Sequence, residues 1–254
     1  MCRKKINKIY DWYKQHYEMD PIINSNTKHN TMNAQSNIKA NQSLNAQQQS
    51  IVSIAALTAV GALEHLKTQL NTGLDAGLTI NEIKEVLVQM YAYCGFPRSL
   101  SGINTFMSVV DERKAKGIKD TYGKEATPVA DTTDKYERGR KTLETLTKTP
   151  QVKPAPGFGE FAPRIDAFLK EHLFADIFDS DVLTYQQREL ATISVLSAME
   201  GVAPQLQAHL IMGMNIGLTE NQLKQVFSLV ETHVGKHQAE IAKNVLVKLN
   251  SNKQ

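Results

Sequence analysis

From about residue 44 onward, apolar residues recur at helical spacing. Ile83, Val86, Leu87 and Met90 make one stripe, and Leu223, Val226, Phe227 and Val230 make another. Each stripe follows a leucine-rich segment, with Leu66, Leu70 and Gly73 before the first and Leu206, Leu210 and Gly213 before the second. Further upstream, IVSIAALTAVGAL and ELATISVLSAMEGVA read as apolar, alanine-rich helices ending at Gly61 and Gly201. No stretch shows the apolar–polar alternation or hairpin turns of a sheet, so the pattern predicts an all-α fold.

The two stripes are copies of each other. LKTQLNTGLDAGLTINEIKEVL and LQAHLIMGMNIGLTENQLKQVF align without a gap at an offset of 140 residues. Gly77 and Gly217 then supply the left-handed residue that ends a helix. Thr79 with Glu82, and Thr219 with Gln222, read as capping boxes that start the next one. Gly73 and Gly213 sit inside helices at a cost in propensity, which implies close helix approach there. Gly95 and Gly235 are expected to interrupt the helices that follow.

Between the repeats the chain turns polar. Residues 20–43 are rich in Asn, Ser, Gln and Thr and read as a flexible lead-in, after a short amphipathic candidate through Ile6, Ile9, Tyr10 and Tyr13. Gly117 to Asp134 and the proline-rich TPQVKPAPGFG read as linkers flanking a helix candidate, KYERGRKTLETL. The resulting division is an extension over 1–43, a first module over 44–122, a linker with a short helix over 123–157, and a second module over 158–254.

Composition narrows the classes. A formal net charge of +3, carried by scattered lysines, gives no basic stripe for nucleic acid. No segment has the apolar length of a bilayer span, so no membrane is expected and the reading is a cytoplasmic protein. The two cysteines, Cys2 and Cys94, form no C-x-x-C, and no paired His motif accompanies them, so neither metal nor cofactor is expected.

With these motifs in order, the chain resembles the carboxymuconolactone decarboxylase family of the alkylhydroperoxidase D-like superfamily. The turn after Gly77 and Gly217, the lead-in FAPRIDAFLKEHLFADIFDSDVLTYQQREL, and YAYCGFP carry the likeness. The resemblance implies two helical modules in tandem, the first degenerate, and a ring that tandem members build as a homotrimer, with Met90, Tyr91 and Val230 contributing to subunit contacts. Its E-L-x-x-H motif falls on Gln205 and His209 in the second copy and on His65 and Gln69 in the first. The implied partner is a small carboxylate or lactone, converted by His-assisted decarboxylation or proton transfer.

Residue chemistry suggests the roles. Gln205 and His209, four apart, share a helix face, so Gln205 can orient the imidazole or a bound carboxylate. His209 suits a general acid near neutral pH. Glu189 can tune His209, and Arg188 suits a substrate carboxylate. His65 and Gln69 are the first-module counterparts. Two rivals stand beside this reading: a non-catalytic helical ring or binding protein, and a one-thiol peroxidase using Cys94. Dithiol peroxidase chemistry would need cysteines at Val202 and Gln205, or at Ala62 and His65.

Overall fold

The structure is a computed structural model that describes residues 43–251, so the expected extension helix and most of the flexible lead-in lie outside the described residues. In chain order the helices are α1 Ala46–Val60, α2 Leu63–Asp75, α3 Ile80–Ala115, α4 Lys135–Thr147, α5 Phe158–Phe161 and α6 Pro163–Ala167. A π-helix, Phe168–Ile177, follows. Then come α7 Tyr185–Ser197, α8 Ala203–Asn215, α9 Glu220–His233 and α10 Lys236–Ser251. The described residues contain no strand.

The chain forms two compact units. The larger one, Ser43–Val129 with Ser180–Gln254, contains the aligned repeat helices of both copies. At its centre lie α1 and α7, buried on every face from Ser50 to Ala59 and from Arg188 to Ser197. They pack against one another; α9 also packs on α1, and α3 on α7. Each repeat therefore lends its third helix to the first helix of the other. A single apolar cluster results, from Ile51 and Leu57 of α1 through Leu87 of α3 to Ile193, Leu210 and Phe227. Burying each such side chain contributes about 1.5–3 kcal/mol. Met90 and Val230, expected at subunit contacts, are wholly buried in this cluster because their stripes face the partner repeat. Of those three residues, Tyr91 alone reaches the surface.

The helix ends follow the expected chemistry. Thr79 caps α3 with Glu82, and Thr219 caps α9 with Gln222, each as a reciprocal capping box. Gly77 and Gly217 take φ values of 90° and 99°, which a side chain would strain. Gly95, at φ 79°, breaks α3 just before Pro97, and Gly235 separates α9 from α10 at the matching place. Gly61 ends α1 in the left-handed region, whereas α7 stops at Ser197, short of Gly201. The polar stretch after Gly117 is partly tied down: the carbonyls of Thr121 and Tyr122 accept from the free N–H groups of Ile80 and Asn81 at the start of α3.

The described part of the smaller unit, Ala130–Asp179, is built on α4 packed against the π-helix. Gly139 makes that approach feasible, since a Cβ there would lie 1.8 Å from the Lys170 carbonyl oxygen. Lys170 is fully buried and donates to Asp166 at 2.7 Å and to the Tyr136 hydroxyl at 2.9 Å, while Tyr136 donates to Asp166 at 2.6 Å. Every charge in this cluster has a partner, which is the condition for burying it.

Candidate active site

His209 sits mid-way along α8, on its buried face, and Glu189 in the first turns of α7, which is buried on every side from Arg188 to Ser197. His209 Nδ1 lies 2.9 Å from Glu189 Oε2, with Glu189 fully buried and His209 nearly so. With Glu189 ionised, Nδ1 carries the proton and donates it, leaving Nε2 as the nitrogen able to exchange a proton. The other carboxylate oxygen, Oε1, is buried and has no hydrogen-bond partner.

Arg188 is also fully buried, one residue from Glu189 but turned elsewhere. Its NH1 donates to Gln89 at 3.0 Å, and its NH2 donates to Glu85 at 2.9 Å and to the Ser180 carbonyl at 2.7 Å. Burial works to lower its pKa, and Glu85 opposes that by pairing with it. A substrate carboxylate held by Arg188 would have to compete with Glu85. Gln89 closes the network, donating to the Arg188 carbonyl at 3.0 Å and to Thr192 at 2.9 Å. Gln205 is exposed on the turn before His209.

One member of the site comes from the first repeat. Tyr93, on α3, presents its ring edge-on to the His209 imidazole, with centroids 5.7 Å apart and an interplanar angle of 77°. Its hydroxyl is buried and makes no hydrogen bond of good geometry, although Thr192 is close by. Burial first, and then the charge of Glu189, push this phenol well above the ordinary tyrosine range.

The first repeat holds Gln49 and Gln69 where the second holds Glu189 and His209. Gln49 donates to the Leu44 carbonyl at 2.8 Å, a neutral and satisfied pair. His65 is exposed on α2. The residue matching Tyr93 is His233, whose pKa is lowered first by burial and then by nearby His65. His65 thus faces the second repeat, as Tyr93 brings the first repeat to His209. Cys94 is half-buried, its thiol donates to the Met90 carbonyl at 3.2 Å, and burial pushes its pKa up to about 11. Near the C-terminus Glu231 pairs with Lys243, and His237 lies 3.7 Å from Glu200. The described residues contain no group of three or more metal-ligating side chains.

The expected pair His209 and Glu189 is therefore in contact. Sequence reasoning missed Tyr93, Glu85, Gln89 and Thr192. Gln89 did leave a signal, a polar residue within the apolar run of Val86, Leu87 and Met90. Tyr93 left a weaker one in its alignment with His233.

No match was found among curated proteins. The sequence profile of the carboxymuconolactone decarboxylase family matches residues 27–105 and 163–247, one stretch in each half of the chain. The chain is a member of the carboxymuconolactone decarboxylase family, and its all-helical modules have the alkylhydroperoxidase D-like fold.

Proposed function

We propose that the protein is a cofactor-independent acid–base catalyst that moves a proton on a small lactone acid or related carboxylic acid, with decarboxylation as the leading form of the reaction. The observation that carries this reading is the buried Glu189 carboxylate, with Oε2 on His209 and Oε1 unpartnered. A buried polar group without a partner costs about 1–3 kcal/mol, and more when charged. The first repeat avoids that cost with Gln49 and Gln69, so the helix pair does not need the charged arrangement in order to fold. In the reaction, carbon dioxide leaves and the electron pair of the broken carbon–carbon bond passes to the conjugated carbonyl oxygen. His209, protonated at Nε2 from solvent with Glu189 stabilising the imidazolium, then gives that proton to carbon as the oxygen's pair re-forms the carbonyl, and solvent reprotonates the imidazole. Arg188 holds Glu85 and Gln89 against α7 and supplies compensating positive charge. Cys94, with its thiol pushed up to about 11, is poorly suited to attack peroxide at neutral pH.

The test compares the two repeats. His209→Ala should lower turnover of carboxymuconolactone or simple lactone acids by about a hundredfold or more, with helicity retained. Gln69→Ala should stay within about twofold of the parent by the same argument. A parent protein inactive on every such acid would overturn the reading in favour of a non-catalytic assembly.

A further inference from the structure

The site contains two buried polar atoms that make no hydrogen bond of good geometry and are complementary in kind, with Thr192 beside the second. Glu189 Oε1 can only accept while ionised, and the Tyr93 hydroxyl can donate. They are near enough for the charge of Glu189 to act on Tyr93, yet they are not bonded to one another. His209 lies between these groups in function, bonded to Glu189 and touched by the Tyr93 ring. A molecule carrying a carbonyl oxygen beside a transferable proton would satisfy both. Thr192, whose Oγ1 accepts from Gln89 at 2.9 Å, lies beside the phenol.

We propose that Tyr93 is the third member of the active site, its hydroxyl donating a hydrogen bond to the substrate oxygen on which negative charge develops while Glu189 and His209 move the proton. This assignment rests on the acid–base reading above. When His209 Nε2 takes a proton from carbon, the C–H electron pair forms the new C=C bond and the carbonyl π pair moves onto oxygen. In decarboxylation, the pair freed with carbon dioxide follows the same route. Tyr93 keeps its own proton throughout, because burial and Glu189 both favour the neutral phenol. Donors aimed at developing charge act with greatest effect in a dry site, and this one is buried. The active site is then composite, with the acid–base pair from the second repeat and the oxyanion donor from the first.

Tyr93→Phe separates this role from simple packing, since phenylalanine keeps the edge contact with His209 and loses only the hydroxyl. Turnover on carboxymuconolactone or simple lactone acids should show kcat lowered by about a hundredfold, the usual effect of removing one oxyanion donor. KM should change by less than about threefold, since the bond strengthens only as charge develops. The pH profile should keep its shape, and the melting temperature should hold or rise because a partnerless hydroxyl has been removed. If kcat stays near the parent value while His209→Ala is inactive, Tyr93 is packing alone and the proton-transfer reading survives. A raised KM with kcat intact would make Tyr93 a ground-state contact and overturn its role in stabilising charge. Loss of helicity in Tyr93→Phe would overturn the separability of hydroxyl and packing on which the proposal stands. An inactive parent overturns both proposals.

Discussion

At the register where the second repeat carries Glu189 and His209, the first carries Gln49 and Gln69. At the register where the first repeat exposes Val88, Phe96 and Leu100, the second carries Ser228, Lys236 and Glu240. The backbones do the same work between the second and third helices of both copies, with left-handed Gly77 and Gly217 followed by the Thr79 and Thr219 capping boxes. What differs is the cargo. The second repeat keeps a buried Glu–His pair that the first folds without, and the first keeps exposed apolar residues that the second folds without. Phe96 is 62% exposed and stacks on Tyr91 at 4.6 Å, whereas Lys236 at the matching position pairs with Glu240 at 3.7 Å. Each copy is thus a control for the other, and transplanting residues between them tests what each difference does.

The largest departure expected from ordinary behaviour concerns the thiol of Cys94, which the second repeat replaces with Val234. In a Cys2→Ser background, Cys94 should react with iodoacetamide at pH 8 about a hundredfold more slowly than a free thiol, since its pKa is raised from 9.0 to about 11 and each unit removes a factor of ten in thiolate. The sign is that of a raised acid: the rate should climb with pH until about 11, well after a free thiol has levelled off. Cys94→Val, copying the second repeat, should leave turnover within about twofold. A thiol as fast as free cysteine at pH 8 would make Cys94 a reactive group after all and revive one-thiol chemistry.

A second transplant tests the apolar face. The homotrimeric ring that the resemblance implies is the assembly to test. With Met90 and Val230 in the core, we propose the exposed Phe96 and Leu100 for its contacts. Phe96→Lys with Leu100→Glu copies Lys236 and Glu240, a combination the fold already tolerates at the equivalent positions. Light scattering should show trimer for the parent and smaller species for the variant, with helicity unchanged. A parent that is monomeric at micromolar concentration would remove the ring from the argument.

These differences were unequally legible in the sequence. The repeat, its caps and its helical period are local properties, so Thr79, Thr219, Gly77 and Gly217 could be read directly. His209 was legible because the resemblance places the family's E-L-x-x-H motif on it, and Glu189 because it is a charged residue at the start of the apolar helix before it. The crossing of the repeats was not, because a stripe such as Val86, Leu87 and Met90 says that a face is buried and not what buries it. That gap hid the pairing of Arg188 with Glu85 and Gln89, and it hid Tyr93 beside His209. It also led Met90 and Val230 to be placed at subunit contacts. The π-helix at Phe168–Ile177 left no periodic signal that separates it from an ordinary helix.

The smallest expected effect concerns how closely the two copies resemble each other in packing. Gly73 and Gly213 occupy the same helical position, and the sequence alone treats them alike. A Cβ at Gly73 would meet Ile54 Cδ1 and Leu78 Cδ1 at 3.3 Å, a contact relieved by a slight movement of two methyl groups. At Gly213 it would meet Ile193 Cδ1 at 2.9 Å and Leu218 Cδ1 at 3.0 Å, closer than the matching pair although all four side chains are packed in the core. Alanine gains up to about 1 kcal/mol in helix propensity at either site. Overpacking a filled core costs about 1–3 kcal/mol, so propensity should win at Gly73 and lose at Gly213. Gly73→Ala should therefore be neutral or slightly stabilising, while Gly213→Ala should lower the melting temperature by a few degrees, at about 2–4 °C per kcal/mol for a chain of this size. Thermal melts of the two variants side by side decide the matter. Equal shifts would mean that the second repeat relaxes as readily as the first, and that its tighter helix approach places no constraint on how α8 carries His209.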